Sequence, residues 1–238
     1  PQWARKAGGG LTAQFDQATA LAADTAGNVF LAGVFAGASA AFDGVAPLAN
    51  RGGADAFLAR YDAAGGLQWV RQIGGGLDDR ASGLAVDSAG NAYIVGEFTG
   101  TLQLPGTNLV TGVVDQNAFI ARFDAAGVVN WARQAGGTLP DAARAVTVDR
   151  SDRVFVAGYF SGAAAFGTES LVSVGNTYDA FVARLDTNGN LAFAQQAGGD
   201  DLGCDIGLGV AADAAGNVLL TGYFSGASAL GSASSVST

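Results

Sequence analysis

The chain has no histidine, no methionine, one cysteine, one lysine (Lys6) and four prolines among 238 residues. Without histidine there is no Ser-His-Asp or Cys-His catalytic arrangement, and no His-ligated zinc or iron. The single cysteine, Cys204, excludes an intrachain disulfide and a Cys-x-x-Cys site. It leaves the compartment open and is read as a buried or inert side chain. No run of about 18 apolar residues occurs, so no membrane-spanning helix is expected. No signal peptide is recognisable. The start at Pro1 and the absence of methionine are read as a mature or trimmed product, or as a fragment.

What is present is apolar, glycine-rich and acidic. Hydrophobic residues make up 49% and charged residues 14%, which argues against disorder and for a sizeable core. The 37 glycines follow no G-X-Y period, which excludes collagen; they fit a chain with many tight turns. A net charge of −9 with scattered arginines repels phosphate backbones, so nucleic acid is not an expected partner.

The chain repeats. Trp3-Ala4-Arg5-Lys6-Ala7-Gly8-Gly9 returns as Trp69-Val70-Arg71-Gln72-Ile73-Gly74-Gly75, as Trp131-Ala132-Arg133-Gln134-Ala135-Gly136-Gly137, and as Phe193-Ala194-Gln195-Gln196-Ala197-Gly198-Gly199. The steps are 66, 62 and 62 residues. A second block begins at Asp24, Asp87, Asp149 and Asp213 and is followed by Gly33/Phe35, Gly96/Phe98, Gly158/Phe160 and Gly222/Phe224. A third block occurs three times, from Ala56 to Arg60, Ala118 to Arg122 and Ala180 to Arg184. Blocks in constant order at nearly constant spacing mark a repeat architecture.

One unit translates into four strands, A to D. In the third unit these are 145–148, 154–160, 180–185 and 191–196, rich in β-branched and aromatic residues. Asp186-Thr187-Asn188-Gly189 is the pattern of a type I turn closing a C–D hairpin, with Asp capping its own backbone and Gly accepting positive φ. The A–B turn carries Gly27, Gly90 and Gly216 in three units but Asp152 in the third, where a distorted turn is expected. The B–C connection runs to roughly 20 residues, long for a structureless loop. Its spaced apolar residues, such as Leu102, Leu104, Leu109 and Val110, suggest an extra hairpin. Small residues in strand A suit the crowded inside of a blade, and the Trp block of strand D suits its wide outer part. The expected fold is all-β: a β-propeller of four-stranded antiparallel blades of about 62 residues, three complete units plus a partial fourth.

Trp-x-x-Gln-x-Gly-Gly, then Asp, then Ala-Val-Asp-x-x-Gly-Asn-x-Tyr-x-x-Gly-x-Phe resembles the bacterial SBBP-type β-propeller repeat, best over residues 69–98. The third unit departs at Asp152 and Arg153, and the fourth replaces Trp with Phe193. The resemblance implies a secreted or surface bacterial propeller and transfers no catalytic residues. Residues 1–238 are read as a single propeller domain or a fragment of a larger propeller. A small ring that lacks or borrows a strand is the other reading, since an open blade edge invites pairing with another chain.

Carboxylates are the remaining reactive groups. Asp16, Asp79, Asp141 and Asp205 each lie eight residues before the A–B turn aspartates. They are candidate calcium ligands at the loop entering each blade. The competing reading makes them backbone caps of a tight loop, or partners of the repeated Arg60, Arg122 and Arg184. Asp78-Asp79 and Asp200-Asp201 are adjacent pairs, unsuited to an acid–base couple on a strand. Cys204 and the recurring aromatics (Phe35, Phe98, Phe160 and Phe224; Phe57, Phe119 and Phe181; Trp3, Trp69 and Trp131) are read as architecture, the aromatics as inter-blade core. Tyr159 and Tyr223 are expected to be exposed, and so are Glu97 and Glu169, the two glutamates.

The expected function is a non-catalytic, extracellular or cell-surface propeller acting as a structural or adhesive module. Its expected partners are a protein or a surface glycan, with self-association through an open blade edge as a further route. No cofactor is expected other than calcium. The alternatives are a carboxylate-dependent glycosidase or lyase with a central-channel site, and a self-assembling surface filament component.

Overall fold

The computed structural model describes residues 3–9, 15–112, 114–198, 203–213, 216–225, 227–230 and 233–236. Blade I consists of strands A (Asp16–Ala23), B (Val29–Phe35), C (Asp55–Tyr61) and D (Leu67–Ile73). Blade II repeats them as Asp79–Val86, Ala92–Thr99, Gln116–Phe123 and Val129–Ala135. Blade III repeats them as Ala142–Val148, Val154–Ser161, Tyr178–Leu185 and Leu191–Gly198. Strands A and B of a fourth unit follow at Ile206–Ala212 and Val218–Tyr223. Pairing within each blade is antiparallel in the order A-B-C-D. The A strands of successive blades pack against one another, so they form the inner row. Radial repetition of four-stranded sheets about an inner row of A strands is a β-propeller.

Period-two alternation builds the core. In strand B of blade II, Ile94 and Phe98 join the cluster shared with blade I, while Tyr93 and Val95 join the cluster shared with blade III. Strand C divides in the same way, Phe119 and Phe123 to one side and Ile120 to the other. Phe98 and Phe119, and Phe160 and Phe181, are therefore inter-blade core, whereas Phe35 and Phe57 pack within blade I with Trp3 and Ala7 of the preceding D strand against them. Burying each contributes about 1.5–3 kcal/mol.

The B–C excursion is a hairpin in every unit: Ser39–Phe42 with Leu48–Ala49, Thr101–Leu104 with Thr107–Val110, Ala163–Phe166 with Glu169–Val172, and Ala227–Leu230 with Ala233–Val236. Each reaches back to the end of strand D of the preceding unit. Ala7 pairs with Phe42, the Gly74 amide donates to the Gln103 carbonyl, Gly136 bridges to Ala165, and Ala197 pairs with Leu230. These hairpins latch neighbouring blades together along their outer side.

The tight turns are nearly identical. Asp24, Asp87 and Asp149 in A–B turns, and Asp62, Asp124 and Asp186 in C–D turns, each accept hydrogen bonds from the amides two and four residues on. The expected distortion at Asp152 is absent. Asp152 adopts a φ of 56° and keeps the turn bond to the Asp149 carbonyl at 3.0 Å. Its carboxylate accepts from the Ser88 amide and hydroxyl of blade II, and these bonds offset the left-handed backbone. The corresponding turn in the fourth unit includes residues 214 and 215, which lie outside the described residues.

Candidate functional site

Each A strand starts at the same end of its blade. That end also carries the D–A loops and the bases of the B–C hairpins; the opposite end carries the A–B and C–D turns. The four aspartates singled out as calcium candidates all stand at the first end, and each accepts at least one backbone amide. Asp16 accepts from Gly9, Asp79 from Gly75 at 2.6 Å, Asp141 from Gly137 at 2.7 Å and from Ser161 at 3.0 Å, and Asp205 from Ser225 at 2.7 Å. Asp16, Asp79 and Asp141 thus staple the Gly-Gly that ends the preceding D strand.

The repeated arginines serve a different aspartate. Arg122 lies 3.9 Å from Asp87, and Arg60 helps to hold Asp24 in its charged form. Among the described residues, no three of His, Cys, Asp and Glu converge as a metal site. Asp200 and Asp201 lie outside the described residues.

A second buried carboxyl belongs to the staple in two units and escaped the repeat analysis. Asp55, the first residue of strand C in blade I, and Asp179, the second in blade III, accept from the Gln72 and Gln196 side chains. This accounts for the glutamine in the Trp-x-x-Gln-x-Gly-Gly block. Spacing between blocks gives no signal for this partner, because Asn117 replaces it in blade II.

Burial in a low-dielectric setting disfavours the charged forms of these carboxyls. It pushes Asp79 up to about 7 against the Gly75 amide, with Asp55 adding repulsion. It pushes Asp141 up to about 6 and raises Asp55 as well.

The side chains that break the repeat meet beside the staple, between blades II and III. Arg144 sits at the β-bulge of strand A, a position occupied by Ser82 in blade II and Thr19 in blade I. An Nη1 of Arg144 lies 3.0 Å from an Oε2 of Glu97 and 3.4 Å from the Ser82 hydroxyl. Its Nη2 donates to the Tyr159 hydroxyl at 3.2 Å, and Tyr159 packs on Tyr178 with ring centroids 4.7 Å apart. Contrary to expectation, Glu97 is buried, with its carboxyl raised first by desolvation and drawn back by Arg144. Tyr159 is also buried, whereas Tyr223 is exposed as expected. The bulge and the next blade roof over these strand-B positions, which alternation within one strand does not reveal.

A cleft of about 440 Å³ adjoins Tyr178, lined by Leu139, Pro140, Ser161, Thr177 and Cys204. Cys204 is exposed there, so the buried alternative of the buried-or-inert reading fails. Phe15, Leu77, Leu139 and Leu208 are exposed at the same end. Glu169 lies apart, exposed on the B–C hairpin of blade III.

Comparison with known proteins agrees with this architecture. Residues 68–97 match the family model described as SBBP, a beta-propeller repeat. A stretch of 113 residues is 28% identical to an uncharacterized WD repeat-containing protein, L264, of Acanthamoeba polyphaga mimivirus. The match covers 45% of this chain and 8% of that relative, so the chain corresponds to a small part of it.

Proposed function

We propose that this chain is a non-catalytic binding scaffold that recognises a protein partner through the blade end carrying the D–A loops and B–C hairpins. One observation carries the reading. Positions that vary from unit to unit gather at that end, among them Arg80, Arg144 and the Val34, Glu97, Tyr159 and Tyr223 position, beside exposed Phe15, Leu77 and Leu139. The opposite end repeats the same Asp-capped turns from blade to blade. A binding face varies from unit to unit, whereas architecture recurs. The beta-propeller repeat and the WD-repeat relative also suggest a binding scaffold. A glycosidase or lyase needs two non-repeated carboxylates facing one cleft; Glu97 is paired with Arg144 and Glu169 lies elsewhere.

The same proposal places the scaffold outside the cell or on its surface, as an adhesive module. Its acidic, lysine-poor composition and SBBP-like repeat support this.

The test is affinity capture from the source cells with quantitative mass spectrometry, together with cell fractionation. A protein retained by the parent chain is expected to be lost with Leu77→Ser, Leu139→Ser or Tyr223→Ala, and kept with Val128→Ser or Asn188→Ala at the opposite end. Equal loss from both sets sinks the reading.

A further inference from the structure

A cavity of about 330 Å³ opens between strand D of blade II and the body of blade III. Its walls include Ala135, Val156, Phe166, Phe181, Leu185 and Leu191. The equivalent interface between blades I and II supplies an internal control. There Ile73 stands where Ala135 does, Ile94 where Val156 does, and Phe123 where Leu185 does, and all three are fully buried in a continuous core. The II/III interface is enlarged at Leu104, replaced by Phe166, and at Val129, replaced by Leu191. These gains sit on the blade III side and leave the space above Ala135 unfilled.

The rim differs too. Arg71 bridges from blade I to the C–D turn of blade II, donating to the Gly127 carbonyl at 2.8 Å and the Ala126 carbonyl at 3.1 Å. Arg71 also donates to the Val70 carbonyl at 3.0 Å and lies 5.4 Å above the Trp69 ring. Its counterpart Arg133 keeps both contacts, to the Ala132 carbonyl at 2.9 Å and 5.7 Å above the Trp131 ring, but makes no hydrogen bond to the C–D turn of blade III. The cross-blade bonds that brace one interface are missing at the next, and the cavity opens there.

We propose that this cavity binds one small, uncharged, apolar molecule carrying a single aromatic ring. Cavities lined by Leu, Ile and Phe that are less than half this size hold benzene, on the order of 150 Å³. A volume in the low hundreds of Å³ is also the lower range of small-molecule pockets. The walls offer hydrocarbon and aromatic edges. The nearest cation, Arg133, already stacks on Trp131 and faces the Asp186 carboxylate. No carboxylate lines the cavity, and its single cation, Arg133, sits at the rim with its guanidinium stacked on Trp131, so the walls favour an uncharged ligand.

Indole is the probe, followed by isothermal titration calorimetry and by thermal unfolding at rising indole concentration. A ligand that binds only the folded state raises Tm with concentration. The parent chain is expected to show that rise, and chemical-shift changes in labelled methyls are expected to centre on Leu185 and Leu191. Ala135→Ile restores the side chain of the filled interface. It is expected to raise Tm without indole and to abolish the response to it. If isoleucine overpacks the site, Ala135→Val serves with a reduced response. Absence of heat and Tm change in the parent chain overturns the proposal. So does an equal response in the filled variant, or methyl shifts centred elsewhere.

Discussion

The Trp69 indole lies flat against Gly127, across the boundary between blades I and II. Its Nε1 donates to the Ala125 carbonyl at 3.0 Å, and a Cβ on Gly127 would sit 2.8 Å from the indole Cδ2. The same lock recurs between Trp3 and Gly65, and between Trp131 and Gly189, with indole bonds of 3.1 and 2.9 Å. Each glycine also has a positive φ, at 82°, 77° and 77°. The C–D turn and the tryptophan block are therefore one device.

Gly127→Ala is expected to destabilise by about 2–4 kcal/mol, the left-handed backbone and the indole clash together. Gly44→Ala is the control. Its φ is 84° but nothing lies within 4 Å of the added carbon, so about 1 kcal/mol is expected. Urea unfolding of both variants measures the difference, and equal losses would show that the indole contact contributes nothing.

Asp79 gives the stability a pH dependence of defined sign. Its carboxyl titrates near 7 when folded, against an ordinary value of 3.8, so the folded chain holds a proton that the unfolded chain releases. Stability is greatest near pH 4 and falls as pH rises towards 7. Asp141, pushed up to about 6, acts in the same direction over a narrower range. Below pH 4 the trend reverses, because turn aspartates such as Asp186, held low first by the Asn190 amide, lose their bonds on protonation. Asp79→Asn keeps an acceptor for the Gly75 amide. It is expected to flatten the fall between pH 4.5 and 7.5, followed by unfolding at each pH. An unchanged slope would place the titration elsewhere.

Burial raises the Glu97 carboxyl within the II/III boundary, and Arg144, 3.0 Å away, draws it back down. Arg144→Met removes the nearest cation from that buried carboxyl, leaving Arg80 and the Gln116 side chain, and is expected to cost about 1–3 kcal/mol. Glu97→Gln is expected to cost less, because it removes the charge that needs compensation. The double variant should recover part of the Arg144→Met loss. Strict additivity in a double-mutant cycle would rule out the coupling.

The calcium reading of Asp16, Asp79, Asp141 and Asp205 has a direct check. At least one oxygen of each is engaged by a backbone amide. Excess chelator is therefore expected to leave Tm unchanged, and added calcium should not raise it. A calcium-dependent increase in Tm would restore these residues as ligands.

Much of the fold was legible because it is repeated. Period-two apolar patterning and Asp-x-x-Gly turns are local signals, and recurrence removed the ambiguity of any single short strand. The extra B–C hairpin could be inferred from Leu102, Leu104 and Leu109. The site was less legible. Glu97 and Tyr159 read as exposed because alternation assigns a side chain to a face but cannot say that the next blade covers it. Asp152 read as a turn defect because its compensating partner, Ser88, is 64 residues away.

The sequence by itself determined the unit: strand order, turn chemistry, and the tryptophan and aspartate positions of each blade. These depend on neighbours within a few residues along the chain. Only the tertiary structure decided what those units do to one another. It set the indole of one blade on the turn of the next, joined Arg144 to Glu97, and left a cavity where Ala135 stands in place of isoleucine. These relationships join residues on different blades, tens of positions apart, and packing between blades fixes them.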